Sequence, residues 1–212
     1  LRASPEYATL TREQKKVVDN EVRDFRLSGA ELPEEQKPRF QAIMEELSQL
    51  SAKFSENLLD ATNAFAEIVT DEARLAGLPD DVKQAARDAA AKAGVAGWKF
   101  TLHAPSYGPV MQYADDRELR ARMYRAYATR AAEFHDGSSK PEWDNTPVIR
   151  RMLELRREDA QMLGYRNFAE VSLVPKMADT PEQVLAFLRE LAAKAKPFAE
   201  KDMAELLAFA SD

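Results

Sequence analysis

The sequence predicts a mainly α-helical fold, a multi-helix array in which one helix is very long and one short β element interrupts the pattern. Gly and Pro are few, at 7 and 11 of 212 residues. The good helix formers Ala, Glu, Leu, Arg, Lys and Gln dominate the composition. Apolar residues recur at helical steps almost throughout and alternate strictly at one place, so we expect about seven or eight helices.

The first predicted elements are a capped helix and a very long helix. Thr11 and Gln14 form a capping box that opens a helix ending near Leu27. Residues 28–33 form a loop, and a helix over residues 34–70 follows, about 50 Å long. Its apolar seam steps by three or four residues with one slip, as in a coiled coil. The small and polar residues between seam positions favour packing within the chain over an intermolecular coiled coil.

The middle of the chain carries the predicted β element. An amphipathic helix over residues 78–93 ends at Gly94, which can adopt the left-handed conformation of a helix end. Apolar and polar side chains alternate over residues 98–103, which predicts a strand. Residues 105–109 (PSYGP) have turn chemistry, and Pro109 would open a short helix that reaches Tyr113.

Three longer helices are predicted in the remaining part of the chain. Asp115 caps a helix that runs to about residue 134, and the polar residues 136–143 form a loop. Thr146-Pro147 and Thr180-Pro181 share one start signal, an N-cap Thr before a Pro at the first helical position. The last helix contains Pro197, where we expect a kink because proline lacks a donor and clashes one turn back.

Composition restricts the function classes. The net charge of −6, from 30 basic and 36 acidic residues, disfavours nucleic-acid binding, which needs a concentrated basic face. No apolar run approaches the roughly 18 residues of a membrane span, and no signal peptide is visible. The lack of cysteine excludes thiol catalysis and agrees with a reducing cytoplasm. The chain has no initiator Met, and we expect it to be a piece of a longer polypeptide.

The two histidines, His103 and His135, are isolated candidates for catalysis or metal binding. His103 follows the predicted strand and would need a partner carboxylate or nucleophile to act as a base. His135 stands beside Asp136, and the two could share a divalent ion. Neither has a Glu three residues before it, which excludes a helical di-metal motif. Solvated histidines are the favoured interpretation, so no catalytic, cofactor-binding or metal-binding residue is assigned.

Arginines and tyrosines are the remaining candidates. The helix after Asn145 is dense in arginine, at Arg150, Arg151, Arg156 and Arg157. These groups could bind a peptide carboxylate, but acidic neighbours at helical spacings favour ion pairs within the helix: Glu154, Glu158 and Asp159. Tyr107 could face a ligand from its turn, although packing beneath the turn is favoured. Tyr124 and Tyr127 are interpreted as core or interface aromatics. Substrate-binding residues therefore stay unassigned.

Eight short motifs follow one another along the chain. They are 25–29 (FRLSG), 97–102 (GWKFTL), 105–110 (PSYGPV), 120–127 (RARMYRAY), 145–149 (NTPVI), 153–156 (LELR), 163–165 (LGY) and 177–178 (MA). The ordered set resembles the thimet oligopeptidase and oligopeptidase A family of zinc metallopeptidases over about residues 25–209. The family works through a His-Glu-x-x-His helix that binds zinc and carries the general base. This sequence contains no such motif.

The resemblance implies a supporting role in a larger enzyme. Residues 1–212 would be a single helical domain or a piece of a two-lobed peptidase, with no internal boundary assigned. They would supply the non-catalytic helical wall of a substrate channel and be inactive alone. The parent enzyme would hold zinc, and this chain would hold none. The implied partners are the remaining catalytic part and short peptides, with no nucleic acid or membrane, in the cytoplasm.

An independent helical scaffold or protein-interaction module is the alternative function. Such a module would dimerise through the very long helix. A concentration-dependent mass in light scattering, without affinity for a catalytic part, would favour this alternative.

Overall fold

A computed structural model describes residues 3–134 and 140–211, and it confirms the mainly α-helical fold. Nine α-helices lie in the described residues: α1 (Pro5–Thr9), α2 (Arg12–Leu27), α3 (Lys37–Ala64), α4 (Asp80–Lys92), α5 (Ala104–Tyr113), α6 (Arg117–Ala128), α7 (Thr146–Met162), α8 (Phe168–Leu173) and α9 (Pro181–Phe209). Two short strands, β1 (Glu67–Val69) and β2 (Trp98–Phe100), form one sheet. Short 3-10 helices occupy Glu72–Leu75 and Pro141–Trp143.

The chain forms two compact units. The first unit comprises Leu1–Met44 and Glu154–Asp212, and the second unit comprises Glu45–Leu153. Helices α3 and α7 contribute residues to both units.

The core of the second unit forms around its two-stranded sheet. β1 and β2 pair antiparallel, with Glu67 opposite Phe100 and Val69 opposite Trp98. Helix α4 packs against β2, and α5 packs against α6. The apolar side chains of these elements form one buried cluster, which includes Leu75, Phe100, Leu102, Val110, Leu119 and Met123. Burial of this apolar surface is the main stabilising contribution to the unit.

A buried pair of amides connects α3 to the start of α7 within the second unit. Asn57 Nδ2 donates a hydrogen bond to Asn145 Oδ1 at 2.9 Å, and Asn145 Nδ2 donates to the Phe54 carbonyl at 3.1 Å. Both asparagines are buried. The backbone N–H of Asn145 also donates to the Ala131 carbonyl at 2.9 Å. Buried polar groups require such partners, so the network specifies how the two helices meet.

Gly29 shapes the connection between α2 and α3 in the first unit. Its φ is +80°, and a Cβ at this position would lie 2.8 Å from the ring of buried Phe40. Only glycine combines a positive φ with the absence of a Cβ, so only glycine fits here without strain. Further along α3, Arg39 donates two hydrogen bonds to the carboxylate of Glu158 on α7, at 2.6 and 2.5 Å.

The predicted helix ends are largely confirmed. Thr11 and Gln14 form the predicted capping box before α2. Thr180 Oγ1 accepts a hydrogen bond from the Gln183 N–H at the start of α9. Gly94 and Gly164 follow α4 and α7 with φ of +69° and +83°. At α7 the prediction is shifted, because Thr146 is already helical and the carboxylate of Asp144 accepts its N–H at 2.8 Å.

The prediction of one helix over residues 34–70 is wrong at its C-terminal end. α3 stops at Ala64, and Glu67–Val69 forms β1. Ile68 and Val69 are β-branched and fit a pleated surface better than a helix. Pairing with β2 satisfies their backbone groups and covers Val69, which is buried.

The predicted turn at residues 105–109 is also wrong, because α5 runs continuously over Ala104–Tyr113. Pro105 is tolerated at the second helical position, where its missing N–H would have no helical partner. Pro109 lies one turn later, inside the helix, where its missing N–H removes one helical hydrogen bond. The following helix, α6, is shorter than predicted and ends at Ala128. Of the predicted loop, residues 136–139 lie outside the described residues.

Candidate functional site

The structure describes one of the two candidate histidines. His103 is the exposed N-cap residue of α5, and its side chain caps no backbone amide. His135 lies outside the described residues. Over residues 3–134 and 140–211, no group of three or more His, Cys, Asp or Glu side chains could hold a metal ion. That this chain carries no catalytic or metal-binding residue stays a prediction.

Two charged residues of α7 pair with α3, in addition to any contacts within α7. Arg151 donates to both carboxylate oxygens of Glu46, at 2.6 and 2.9 Å, in the second unit. Glu158 accepts from Arg39 in the first unit. These contacts to α3 were not predicted from the sequence, and ion pairs within α7 stay a prediction. A bidentate Arg–carboxylate pair has favourable fork geometry, which the neighbouring helix supplies.

The other arginines of α7 lie in different surroundings. Arg150 and Arg157 are exposed. The guanidinium carbon of Arg156 lies 4.9 Å from the centroid of the Phe168 ring on α8, within cation–π range. This contact attaches the short helix α8 to α7 within the first unit.

Asp159 is a buried carboxyl group, although its spacing to the arginines of α7 predicted an ion pair within the helix. Only 4% of its surface is exposed, and its Oδ1 has no hydrogen-bond partner among the described residues. Burial raises the pKa of the Asp159 carboxyl above its ordinary value. The signal was present in the sequence, because Asp159 follows Leu155 at a spacing of four and so shares its helix face. Leu155 is fully buried.

Tyr107 and Tyr127 stack on each other in the second unit. Their ring centroids are 4.2 Å apart, and the ring planes differ by 13°. The guanidinium carbon of Arg130 lies 3.7 Å from the Tyr127 centroid. Tyr107 packs against the buried cluster, which confirms packing as part of its role. Tyr127 and the nearby Tyr124 are 39% and 60% exposed, so this aromatic group reaches the surface.

Many of the exposed large apolar side chains in the described part of the first unit lie on α9. None of the 29 residues of this helix is buried. Apolar residues recur along one face at steps of three and four, which is typical of a helix that packs against a partner. Several large members of this face are more than half exposed: Leu188, Leu191, Phe198, Leu206 and Phe209. Phe209 reaches 83% exposure.

The charged residues of α9 confirm that its faces are chemically distinct. Ion pairs at i,i+4 spacing join Lys194 to Glu190, Lys196 to Glu200 and Lys201 to Glu205. Pro197 lies inside the continuous helix α9, and the predicted kink at this residue stays a prediction. Within the described ranges, no helix has both the length and the apolarity needed to cross a bilayer.

Comparison with known proteins shows what the chain is related to. The sequence profile of Peptidase family M3 matches residues 110–212. Oligopeptidase A of Salmonella typhimurium is 49% identical over 210 residues, which is 99% of this chain and 31% of that protein. A probable cytosolic oligopeptidase A of Arabidopsis thaliana is 39% identical over 100% of this chain and 30% of its own length. A dipeptidyl carboxypeptidase of Salmonella typhimurium is 31% identical over 92% of this chain.

The matches to the relatives extend over nearly the whole sequence, whereas the profile match covers residues 110–212. The profile match and these relatives support the assignment of this chain to the M3 oligopeptidase family. The chain spans about a third of the length of the curated relatives that it matches, 31% in the first of them.

Proposed function

We propose that this chain is the helical-wall part of a zinc-dependent oligopeptidase that hydrolyses short peptides in the cytoplasm. The observation that carries the proposal is 49% identity to an oligopeptidase A over 99% of this chain. The same alignment covers 31% of that relative, so most of the parent protein would lie outside these residues. The proposed role is to shape access to a metal held elsewhere, and the chain alone would be inactive.

The residues that the structure describes, 3–134 and 140–211, do not fit a zinc site, and no catalytic step is assigned to them. Structural and catalytic zinc sites need three or four His, Cys or carboxylate ligands at one point. The sequence has no cysteine and two histidines, and the described residues bring no three such side chains together. When bound in the parent, zinc would polarise the scissile carbonyl and activate water.

A rigid helical wall would select substrates by size. Helices α3, α7 and α9 have 28, 17 and 29 residues, or about 42, 26 and 44 Å of rod at 1.5 Å per residue. Elements of this length can limit entry to an extended peptide while excluding a folded domain. Within the first unit the ion pair of Arg39 with Glu158 joins α3 to α7, and within the second unit the amide pair of Asn57 with Asn145 joins α3 to the start of α7.

The apolar face of α9 supports assembly with the rest of the parent protein. Burying one Leu or Phe side chain completely contributes about 1.5–3 kcal/mol. Covering the exposed halves of Leu188, Leu191, Phe198 and Leu206 would therefore contribute roughly 4 kcal/mol in total. A face of this kind left in water favours association.

Complementation tests the proposal directly. The 212-residue chain and the complementary polypeptide with the His-Glu-x-x-His helix are purified separately and assayed with a quenched fluorescent short peptide. We expect no hydrolysis by the chain alone and chelator-sensitive hydrolysis by the mixture. A folded protein substrate should remain intact. Chelator-sensitive peptidase activity from the chain alone would overturn the proposed role.

Matched substitutions on the two faces of α9 show whether its apolar face is used. Phe198→Glu places a charge on the apolar face, and Arg189→Glu places the same charge on the polar face. We expect Phe198→Glu to lower the complemented activity at least tenfold and Arg189→Glu to leave it within about twofold. Equal effects of the two substitutions would contradict assembly through this face.

Self-association is the second candidate, because the exposed face of α9 could equally cover a second copy of the chain. Light scattering over a concentration series distinguishes the two. A stable dimer that does not exchange with the complementary polypeptide favours an independent scaffold module. A monomer, or a dimer that the complementary polypeptide dissociates, favours the oligopeptidase role.

A further inference from the structure

A layered stack in the second unit holds Arg130 in a defined orientation. The ring of Tyr107 on α5 covers one face of the Tyr127 ring on α6 at 4.2 Å. The guanidinium of Arg130 lies 3.7 Å from the same ring, and because one face is already covered it must occupy the other. Both separations are within the range of favourable aromatic and cation–π contacts.

Two hydrogen bonds fix the guanidinium further. Arg130 Nε donates to the Tyr127 carbonyl at 3.0 Å, and Nη1 donates to Thr62 Oγ1 at 3.1 Å. The Thr62 hydroxyl is itself oriented, because it donates to the Leu58 carbonyl of α3 at 2.7 Å. Thr62 is buried, so this anchor is part of the core side of the stack. Residues from α3, α5 and α6 thus hold the guanidinium of Arg130 in position before any ligand binds.

The charge of Arg130 is not neutralised within the described part of the chain. No described carboxylate lies within ion-pair distance of Arg130, whereas Arg74, Arg122 and Arg151 each have such a partner. A guanidinium has five N–H donors, of which two are used here, so donors on Nη1 and Nη2 remain for a ligand. An oriented guanidinium with free donors is well suited to a planar carboxylate.

We propose that Arg130, with the rings of Tyr107 and Tyr127 beneath it and with Tyr124 three residues before Tyr127 on α6, binds a peptide carboxylate. The planar carboxylate would accept hydrogen bonds from the free N–H groups of Arg130. The exposed rings of Tyr124 and Tyr127 would contact the neighbouring peptide backbone or side chain. Tyrosine and arginine are the residues most often found at the centres of binding surfaces.

The three phenol groups support this convergence. Burial is the largest cause that raises the pKa of Tyr107, and Tyr127 and Tyr124 raise it further, while Arg130 lowers it. The geometry of this group rests on the stacking of Tyr107 on Tyr127 and on the position of Tyr124, which lies three residues before Tyr127 on α6.

Titration calorimetry on the 212-residue chain tests the site with three capped tripeptides. The first is acetyl-trialanine with a free terminal carboxylate, and the second is its terminal amide. The third is an amide with aspartate at its centre. We expect the first peptide to bind at least roughly tenfold more tightly than the second. If the third binds like the first, the site accepts any carboxylate. If it binds like the second, the site selects the chain terminus.

Arginine variants locate the binding to the stack. Arg130→Met should lower the affinity for the acid at least tenfold, and Arg130→Lys, which keeps the charge but loses the planar fork, should lower it less. Arg87→Met is the matched control, because Arg87 lies 4.8 Å from the Trp98 ring in the same unit. It should bind as the unaltered chain does. Thermal unfolding checks that each variant is folded, and Thr62→Val, which removes the hydroxyl anchor, provides a second test if Arg130→Met fails to fold.

Equal binding of acid and amide, no binding of either, or an unchanged affinity in both Arg130 variants would overturn the site. The choice of peptides as ligands rests on the proposed function, but the assay needs no hydrolysis. A chain that binds the acid but gives no complemented activity would refute the proposed function alone. A chain that complements but shows no Arg130-dependent binding would refute this site alone.

Discussion

Asn145→Ala should destabilise the second unit strongly, because it removes one half of a buried amide pair. The substitution deletes the hydrogen bonds to Asn57 and to the Phe54 carbonyl, which contribute about 1 kcal/mol each. It also leaves the Asn57 amide buried without an acceptor, which costs about 1–3 kcal/mol. We expect the free energy of unfolding to fall by about 3–4 kcal/mol.

Urea denaturation followed by tryptophan fluorescence measures this loss in the relevant unit. Both tryptophans, Trp98 and Trp143, belong to the second unit. Asn63→Ala is the matched control, because Asn63 lies on the same helix and is exposed. The control should change the free energy of unfolding by less than about 0.5 kcal/mol.

A double-mutant cycle decides whether the two asparagines act as one unit. When both residues are alanine, no buried amide is left without its hydrogen-bond partner. The combined cost should therefore be smaller than the sum of the two single costs by at least about 1 kcal/mol. Additive costs, or a loss below about 1 kcal/mol for Asn145→Ala alone, would refute the reasoning.

Three further substitutions test the first unit. Gly29→Ala should cost about 2–3 kcal/mol more than Gly164→Ala in thermal unfolding. Both sites have φ near +80°, but a Cβ at Gly29 alone would collide with the Phe40 ring, so equal costs would contradict the contact. Asp159→Asn should stabilise the unit at pH 7. Because burial raises the pKa of the folded-state carboxyl, stability decreases as pH rises from the unfolded to the folded pKa, so the gain should vanish below about pH 4. A gain independent of pH would exclude this cause. Thr180→Ala should cost about 1 kcal/mol and speed hydrogen exchange of the amide it caps in α9.

Helix starts were predictable because their determinants are local. The Thr11 and Thr180 caps depend on a side chain and a backbone N–H three residues later. Gly94 was recognised for the same reason, since its left-handed conformation depends on its own missing Cβ. Such signals need no knowledge of the rest of the fold.

The strand β1 could not be predicted in this way, because its partner is about 30 residues away in sequence. Phe65 and Ile68 continue the helical spacing of α3, and nothing local opposes that reading strongly. The pairing of β1 with β2 decides the conformation, since it satisfies backbone groups and buries Val69. The helical spacing of apolar residues corresponds to a helix as far as Ala64, and beyond that residue the tertiary contacts of β1 determine the conformation.

The aromatic stack was missed for a related reason. Tyr107 and Tyr127 were each recognised, but their residue types gave no indication that they would lie face to face. Arg130 was not considered at all, because it lies beyond the end of α6, where the sequence predicted an unbroken helix. The left-handed conformation of Ala131, with φ of 51°, follows directly after Arg130.

The apolar face of α9 shows what an amphipathic pattern does and does not establish. Its spacing predicts that one face is covered, and the pattern is the same whichever partner covers it. In the described residues that face remains exposed, with Phe198 at 71%. A solitary helix with such a face would be less favourable in water than one that packs, because apolar area contributes in proportion to its burial. The relatives are about three times as long as this chain, which supports our proposal that a partner from the same polypeptide covers this face of α9.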